Sequence, residues 1–320
     1  MNIRGGLNMK ELKNLPAPLF RDPIYDGATD PVVIWNTEEL CWWMFYTQRR
    51  SSDISIGVSN IHGTKIGIAS SKDAQKWLYR GTVPNMDFEP GLNTFWAPEV
   101  IFAEGKYHMY VSYITGVPTD WNYKRHILHY STKNMWDWKF ESIIDLSSDH
   151  VIDACVYEVE PHLYKMWYKD EKNNSYTYSA ISKDLYHWEV LGEEITDCPH
   201  EGPNVFEFGT IKWMITDCWD GLAVYKSDDF TNWCRWGENL LKIPGTRKDD
   251  TAMGNHADVL VHGEKAYIFY FVHPEFTKEM RDNHNTIMTY KEAKASIQVA
   301  ELKVENGNLI CDRNQEFYFE

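Results

Sequence analysis

The chain lacks several features that would fix its class at once. It has no Cys-x-x-Cys pair: Cys41, Cys155, Cys198, Cys218, Cys234 and Cys311 are scattered. That pattern fits neither a zinc site nor a small disulfide scaffold, and reads as mostly buried free thiols in a reducing compartment. No uninterrupted apolar run approaches about 18 residues, so no transmembrane helix and no membrane partner are expected. Residues 1–22 hold no contiguous apolar core of a secretory leader. The expectation is a cytoplasmic protein, or a periplasmic or secreted one if a leader has been removed. Basic charge is scarce: 32 Lys+Arg against 47 Asp+Glu give −15. Phosphate neutralisation needs the opposite surplus, which argues against a general nucleic-acid binder. Helical periodicity is almost missing, and the mixed-charge stretch 275–294 is the one candidate for a helix or long loop.

Aromatic side chains, in contrast, are plentiful at 15%, with 14 Trp and 19 Tyr. They favour strands and also offer flat faces on which rings stack. The 320 residues suffice to bury a sizeable core without staples. A repeat runs through them: a hydroxyl residue, Asp or Asn two positions on, and Trp four further. It occurs at Ser71, Asp73 and Trp77; at Thr132, Asn134 and Trp138; at Ser182, Asp184 and Trp188; and at Ser227, Asp229 and Trp233. Such side chains bond nearby amides and make tight turns, and the Trp would open the next strand and pack beneath the turn.

A strand precedes each signature, at 65–69, 126–130, 176–181 and 222–225, and a short one follows, such as 188–191. Earlier in each unit lies a strand pair: 32–36 with 41–48, 100–103 with 107–113, 155–159 with 163–169, and 204–208 with 212–217. A fifth unit starts with 258–262 and 265–271 and ends through 295–304 and 309–311. Turn pairs such as Glu104-Gly105 separate the strands. Five units of four short strands predict an all-β, five-bladed propeller, with an irregular β-sandwich as the alternative. A single domain over 1–320 is expected, with blades near 26–90, 91–148, 149–197, 198–248 and 249–320. Segment 17–20 or 317–319 is expected to complete the last blade.

In a propeller the first strands border the axis. The segments that open them here are unusually acidic: Asp30-Pro31, Trp96-Ala97-Pro98-Glu99, Ile152-Asp153, Glu201-Gly202-Pro203 and Gly254-Asn255-His256. Ring closure would aim several at one funnel. Like charges held close push some carboxyl pKa values up and leave others ionised, the separation acid–base hydrolysis needs. Each residue also has a plainer reading. Asp30 could cap a turn, Glu201 could be a solvated loop residue, Glu99 could prop the backbone, and His256 could be a packed core histidine. Asp153 lies between apolar residues, so it calls for a partner or a function.

These motifs, one per blade and in this order, resemble the five-bladed propeller glycosidases, above all glycoside hydrolase family 43, over roughly 26–304. The resemblance implies hydrolysis of O-glycosyl bonds, of arabinofuranosidase, xylosidase or galactosidase type, by an inverting mechanism with no required cofactor. It makes Asp30 the base that activates water, Glu201 the acid that protonates the leaving oxygen, and Asp153 the group that tunes the acid. Trp96, Glu99, His200, His256 and Arg247 would bind substrate, an oligosaccharide or polysaccharide of plant or algal origin. His256 matches a position near the axis where some members hold a calcium ion or a water network. Two departures stand out. Ala154 follows Asp153 where many members have proline, and the stretch from Arg247 to His256 is more similar to the related family 117, in which a histidine acid is implied, here His256 or His200. The motif around Asp22-Pro23 imitates one in fructan-cleaving propellers but precedes the first blade. A non-catalytic propeller that binds glycan or protein and a retaining transglycosidase are the competing readings. Loops 115–123 and 273–291 are expected to shape the pocket, and Arg49, Arg50 and Arg247 either read hydroxyls or a carboxylated sugar or form surface ion pairs.

Overall fold

The computed structural model describes residues 14–53, 55–283 and 288–319; the stretch read for a leader lies outside them up to residue 13, as does 284–287 of the loop 273–291. Five sheets of four antiparallel strands each follow one another along the chain. The first holds β1 (Ala28–Asn36), β2 (Cys41–Gln48), β3 (Lys65–Ser71) and β4 (Leu78–Thr82). The second holds β5 (Thr94–Ala103), β6 (Lys106–Ile114), β7 (His126–Thr132) and β8 (Lys139–Ile143). The third holds β9 (Val151–Glu160), β10 (Leu163–Asp170), β11 (Tyr176–Ser182) and β12 (Glu189–Ile195). The fourth holds β13 (Glu201–Phe208), β14 (Ile211–Asp217), β15 (Leu222–Ser227) and β16 (Cys234–Arg235). The fifth holds β17 (Asn255–His262), β18 (Lys265–Val272), β19 (Ser296–Glu305) and β20 (Asn308–Cys311). The first strands touch in a closed ring, β1 to β5 to β9 to β13 to β17 and back to β1. The fold is a five-bladed β-propeller.

Five apolar clusters hold the ring, one between each neighbouring pair of blades. Trp43, Phe45 and Ile68 meet Phe95, Met109 and Trp138 between the first two. Trp213 and Val224 meet Ile268 and Leu302 between the last two. A middle strand is therefore covered on both faces, which is why every residue of β2 is buried and why its sequence does not alternate. Of the outer strands, β12 is largely open to solvent and β4 partly so.

The repeated signature is the turn between third and fourth strands. In each, the Asp or Asn side chain accepts two amides: Asp73 from Gln75 and Lys76, Asn134 from Trp136 and Asp137, Asp184 from Tyr186 and His187, and Asp229 from Thr231 and Asn232. The residue between them adopts a left-handed conformation, as at Ala74 and Leu185. The Trp indole then donates to that residue's carbonyl at Trp77, Trp138 and Trp188, whereas Trp233 reaches Glu194 instead. The fifth blade replaces the signature with a two-residue Asn306-Gly307 turn, both left-handed, the type that matches strand twist.

Segments 17–20 and 317–319 do not complete the last blade, because β17–β20 already supply four strands. Phe20 instead bridges to Ile297 of β19, and Phe319 stacks on Tyr267. Asp22 is buried and accepts bonds from Tyr46 and Gln48 at 2.5 and 2.7 Å, so the Asp22-Pro23 motif anchors the N-terminal segment. Stretch 275–294 carries two short helices, α1 (Lys278–Asp282) and α2 (Tyr290–Ala293).

Candidate active site

Every first strand carries a register break near its start: between Thr29 and Val32, Trp96 and Glu99, Glu201 and Asn204, and Asn255 and Ala257, and opposite Trp167 and Lys169 in the third blade. These are β-bulges, which re-aim side chains and are common beside active sites. Three of the five contain a proline, Pro31, Pro98 and Pro203, tolerated because a bulge needs no ladder donor there. Asp30, Ala97, Asp153 and Gly202 hold positive φ at the bulge, 49°, 43°, 59° and 56°. For Asp and Ala this is a strained backbone, on the order of 1–3 kcal/mol each. Gly202 is required outright, since a Cβ there would lie 2.9 Å from the His256 ring.

The bulges open into one cleft of about 980 Å³ lined by Asp30, Asp153, Glu201 and His256, with Trp96 on one wall. The acidic residues spread over three blades thus meet at one end of the axis. His256 Nδ1 stands between two of them, 3.7 Å from Asp30 Oδ1 and 3.9 Å from Asp153 Oδ2. Asp30 also faces Arg49 Nη2 at 3.7 Å and accepts from the Thr29 hydroxyl at 3.0 Å. Burial raises its pKa, but Arg49 and His256 outweigh that and leave it below the ordinary aspartate value. Asp153 has the opposite balance. Burial and the Glu201 charge lift it to about 6, against the pull of His256 and Lys169. Burial lowers the His256 pKa, but four carboxylates, Asp153 first, more than reverse this.

Glu201 opens toward the cleft, 29% exposed, and pairs with Lys169 Nζ at 3.0 Å. Desolvation raises its pKa, and Lys169 brings it below the usual glutamate value. Lys169 also holds Glu171 at 3.2 Å, and Glu171 pairs with Arg125.

Asp217, Lys169 and Glu171 also line the cleft, although nothing in the sequence pattern marked them. They lie at or just past the ends of second strands, and antiparallel pairing sets those ends beside the bulges: Asp217 opposite Glu201, Lys169 opposite Ile152. Counting back from each hairpin turn is the signal that would have found them. Burial and Glu201 raise Asp217 to about 7, despite amides donated by Trp219 and His256.

Three expected substrate residues do not line the cleft. Glu99 lies two residues past its bulge, on the far part of the axis, beside a second cavity of about 380 Å³. His200 is fully buried with both ring nitrogens engaged, by the Cys198 carbonyl and Thr177 hydroxyl. Arg247 is half-buried in the neighbourhood of Asp250 and Tyr270. Arg49 does line the cleft, whereas Arg50 braces the loop by donating to the His62 and Ser59 carbonyls.

A calcium ion takes six to eight oxygens at about 2.3–2.6 Å. Next to His256 stand Asp30 and Asp153, with Glu201 and Asp217 also acting on it, but Arg49 already pairs with Asp30 and Lys169 with Glu201, and a carboxylate set answered by these cations does not fit calcium. Among the described residues, the group whose ligand atoms converge within 4.8 Å is Asp197, Cys198 and His200, outside the cleft.

No protein-family model matches the chain, and no curated protein matches it. Solved structures do. A thermostable family-43 glycoside hydrolase superposes with a TM-score of 0.64 at 17% identity, over 91% of this chain and 95% of its own. The family-43 enzyme of Xanthomonas citri complexed with xylotriose gives 0.65 at 12%, over 93% of each chain. The Bombyx mori family-32 β-fructofuranosidase gives 0.64 at 13%, over 92% of this chain and 66% of its own. The chain is a five-bladed propeller with the fold of family-43 glycoside hydrolase structures along nearly its whole length.

Proposed function

We propose that the protein is a glycoside hydrolase that removes a terminal sugar from an oligosaccharide or polysaccharide by inversion. One observation supports this above all: a single cleft holds a carboxylate kept ionised, Asp30, across from carboxyls whose environments raise them, Asp153 and Asp217. Paired acid and base with separated pKa values are what glycosidic cleavage requires. Asp30 is the base that deprotonates water. Glu201, whose charge helps raise Asp153 and Asp217 and which Lys169 itself holds low, delivers the proton to the leaving oxygen. Asp153 accepts the Gly202 amide at 3.2 Å, fixing the backbone on which Glu201 stands. The xylotriose bound to the Xanthomonas citri structure and the cleft's Trp96, Trp121 and Trp219 are consistent with a sugar substrate of arabinofuranoside, xyloside or galactoside type.

The test is a panel of 4-nitrophenyl arabinofuranosides, xylosides and galactosides with the matching oligosaccharides, with the first-formed anomer read by proton NMR. Turnover with inversion, abolished in Asp30→Asn, is expected. Binding without turnover on every member would leave a glycan-binding propeller, and retention of configuration would make it a transglycosidase-like enzyme.

A further inference from the structure

One ring position, at the end of each second strand opposite the residue before the bulge, is occupied by Thr47, Ser112, Lys169, Asp217 and Phe271 in blade order. Its usual work is structural. The Thr47 hydroxyl accepts the Ala97 amide of the next blade at 2.7 Å, and the Ser112 hydroxyl accepts the Asp153 amide at 2.9 Å. Asp217 does the same for the His256 amide, at 2.9 Å. A hydroxyl would serve that purpose, and a buried carboxylate is far costlier than a hydroxyl. Lys169 accepts nothing, so in its blade Asp153 itself takes the next amide.

Charge enters this ring only at the two positions that flank Glu201. Lys169 reaches its carboxylate from the preceding blade at 3.0 Å, and Asp217 is its direct cross-strand neighbour, a pairing that sets side chains on one face about 5 Å apart at Cβ. We infer that Lys169 and Asp217 are a pair of opposed positioning residues that set when Glu201 holds its proton, Lys169 favouring release and Asp217 favouring retention. This rests on the reading of Glu201 as the acid. The other ionisable groups facing Glu201 are Asp153 from β9, Glu171 just after β10 and His256 from β17; β11, also packed against β13, brings no charged residue. Those groups are common to all the variants below, so differences between variants report on Lys169 and Asp217.

The experiment compares pH profiles of kcat/KM for wild type, Lys169→Met, Lys169→Arg and Asp217→Ser on an oligosaccharide substrate, whose leaving group needs protonation. Asp217→Ser keeps the acceptor for the His256 amide by copying the hydroxyl of blade 2. Lys169→Met should move the alkaline limb up by about 1 pH unit or more, because an opposite charge at this range lowers a carboxyl by roughly 1–3 units. Asp217→Ser should move it down, because a lone carboxyl no longer shares its titration with a like neighbour. Lys169→Arg should restore the wild-type position. Limbs that stay fixed while rates fall, or that move in the same direction, overturn the inference. Carbon-13 carboxyl NMR of Glu201 in the same variants gives the same opposed shifts without turnover. If no glycoside is cleaved, the reading of Glu201 as the acid fails on its own, and the NMR titration still decides whether these two residues govern its proton.

Discussion

Two rings of side chains lie two residues apart on the same five strands, and they have opposite fates. The first, at the bulges, is Asp30, Ala97, Asp153, Gly202 and His256, and its polar members face the cleft. The second is Val32, Glu99, Cys155, Asn204 and Asp258, and four of its members stitch blade to blade. Glu99 accepts the Val156 amide at 2.8 Å, Cys155 the Val205 amide at 3.2 Å, Asn204 the Val259 amide at 3.1 Å and Asp258 the Val33 amide at 3.0 Å. Asp258 also takes the Asn204 side-chain amide at 3.0 Å. Both rings contain buried acids. The acids of the cleft ring border Arg49 and His256, whereas those of the stitching ring hold amides of the next blade, so on the proposed function the same residue type is reactive in one and structural in the other.

The sharpest way to break the comparison is Asp30→Asn. Activity should fall on the order of 10³–10⁴-fold, as expected for loss of a general base, while the melting temperature holds; a comparable loss of folding would move Asp30 into the structural ring. Glu201→Gln should cost on the order of 10²–10³-fold on an oligosaccharide but much less on a 4-nitrophenyl glycoside, whose leaving group scarcely needs a proton. Equal losses on both substrates would remove Glu201 from the acid's role.

The stitching ring should answer in stability instead. Asp258→Ala strands the Val33 amide and the Asn204 side chain, and about 2–3 kcal/mol should be lost in urea unfolding, with activity per folded molecule kept. Glu99→Gln tests the sign of the pH dependence. Burial, then the Asp258 charge, raise Glu99 to about 8. The folded state therefore holds a proton the unfolded chain has released, and stability falls as pH rises from about 4.5 to about 8. Glu99→Gln still accepts the Val156 amide and should flatten that fall, raising the melting temperature above pH 8 and leaving it nearly unchanged near pH 4.5. Smallest of all, Asp184→Ala removes an exposed turn acceptor remote from both rings and should cost about 1 kcal/mol.

The turn signature was readable because its chemistry is local. Asp73, Asn134, Asp184 and Asp229 bond amides two and three residues away, so spacing alone revealed them. The bulge motifs were readable for the same reason: a proline after Asp30, Ala97 and Gly202 marks a backbone that cannot continue the ladder. Glu99 looked like part of the site because it follows one such motif. Its direction depends on the Val156 amide of another blade, 57 residues on, which spacing does not contain. His200 precedes Glu201 directly, yet its ring bonds Thr177 and lies behind the cleft. Asp217 and Lys169 were missed because, at the ends of second strands, they belong to no motif, and the cross-strand pairing that sets them opposite Glu201 and Ile152 is not contained in local spacing.

By itself the sequence determined what short-range bonding and period can encode: five repeats, their turns, their bulges and the chain order of the acids. Only the closed ring decided which acids share a cleft, which face amides and which meet Lys169 or Arg49. Those pairings join residues from different blades, and the balance of desolvation against neighbouring charge that sets each carboxyl's proton exists only once the blades have met.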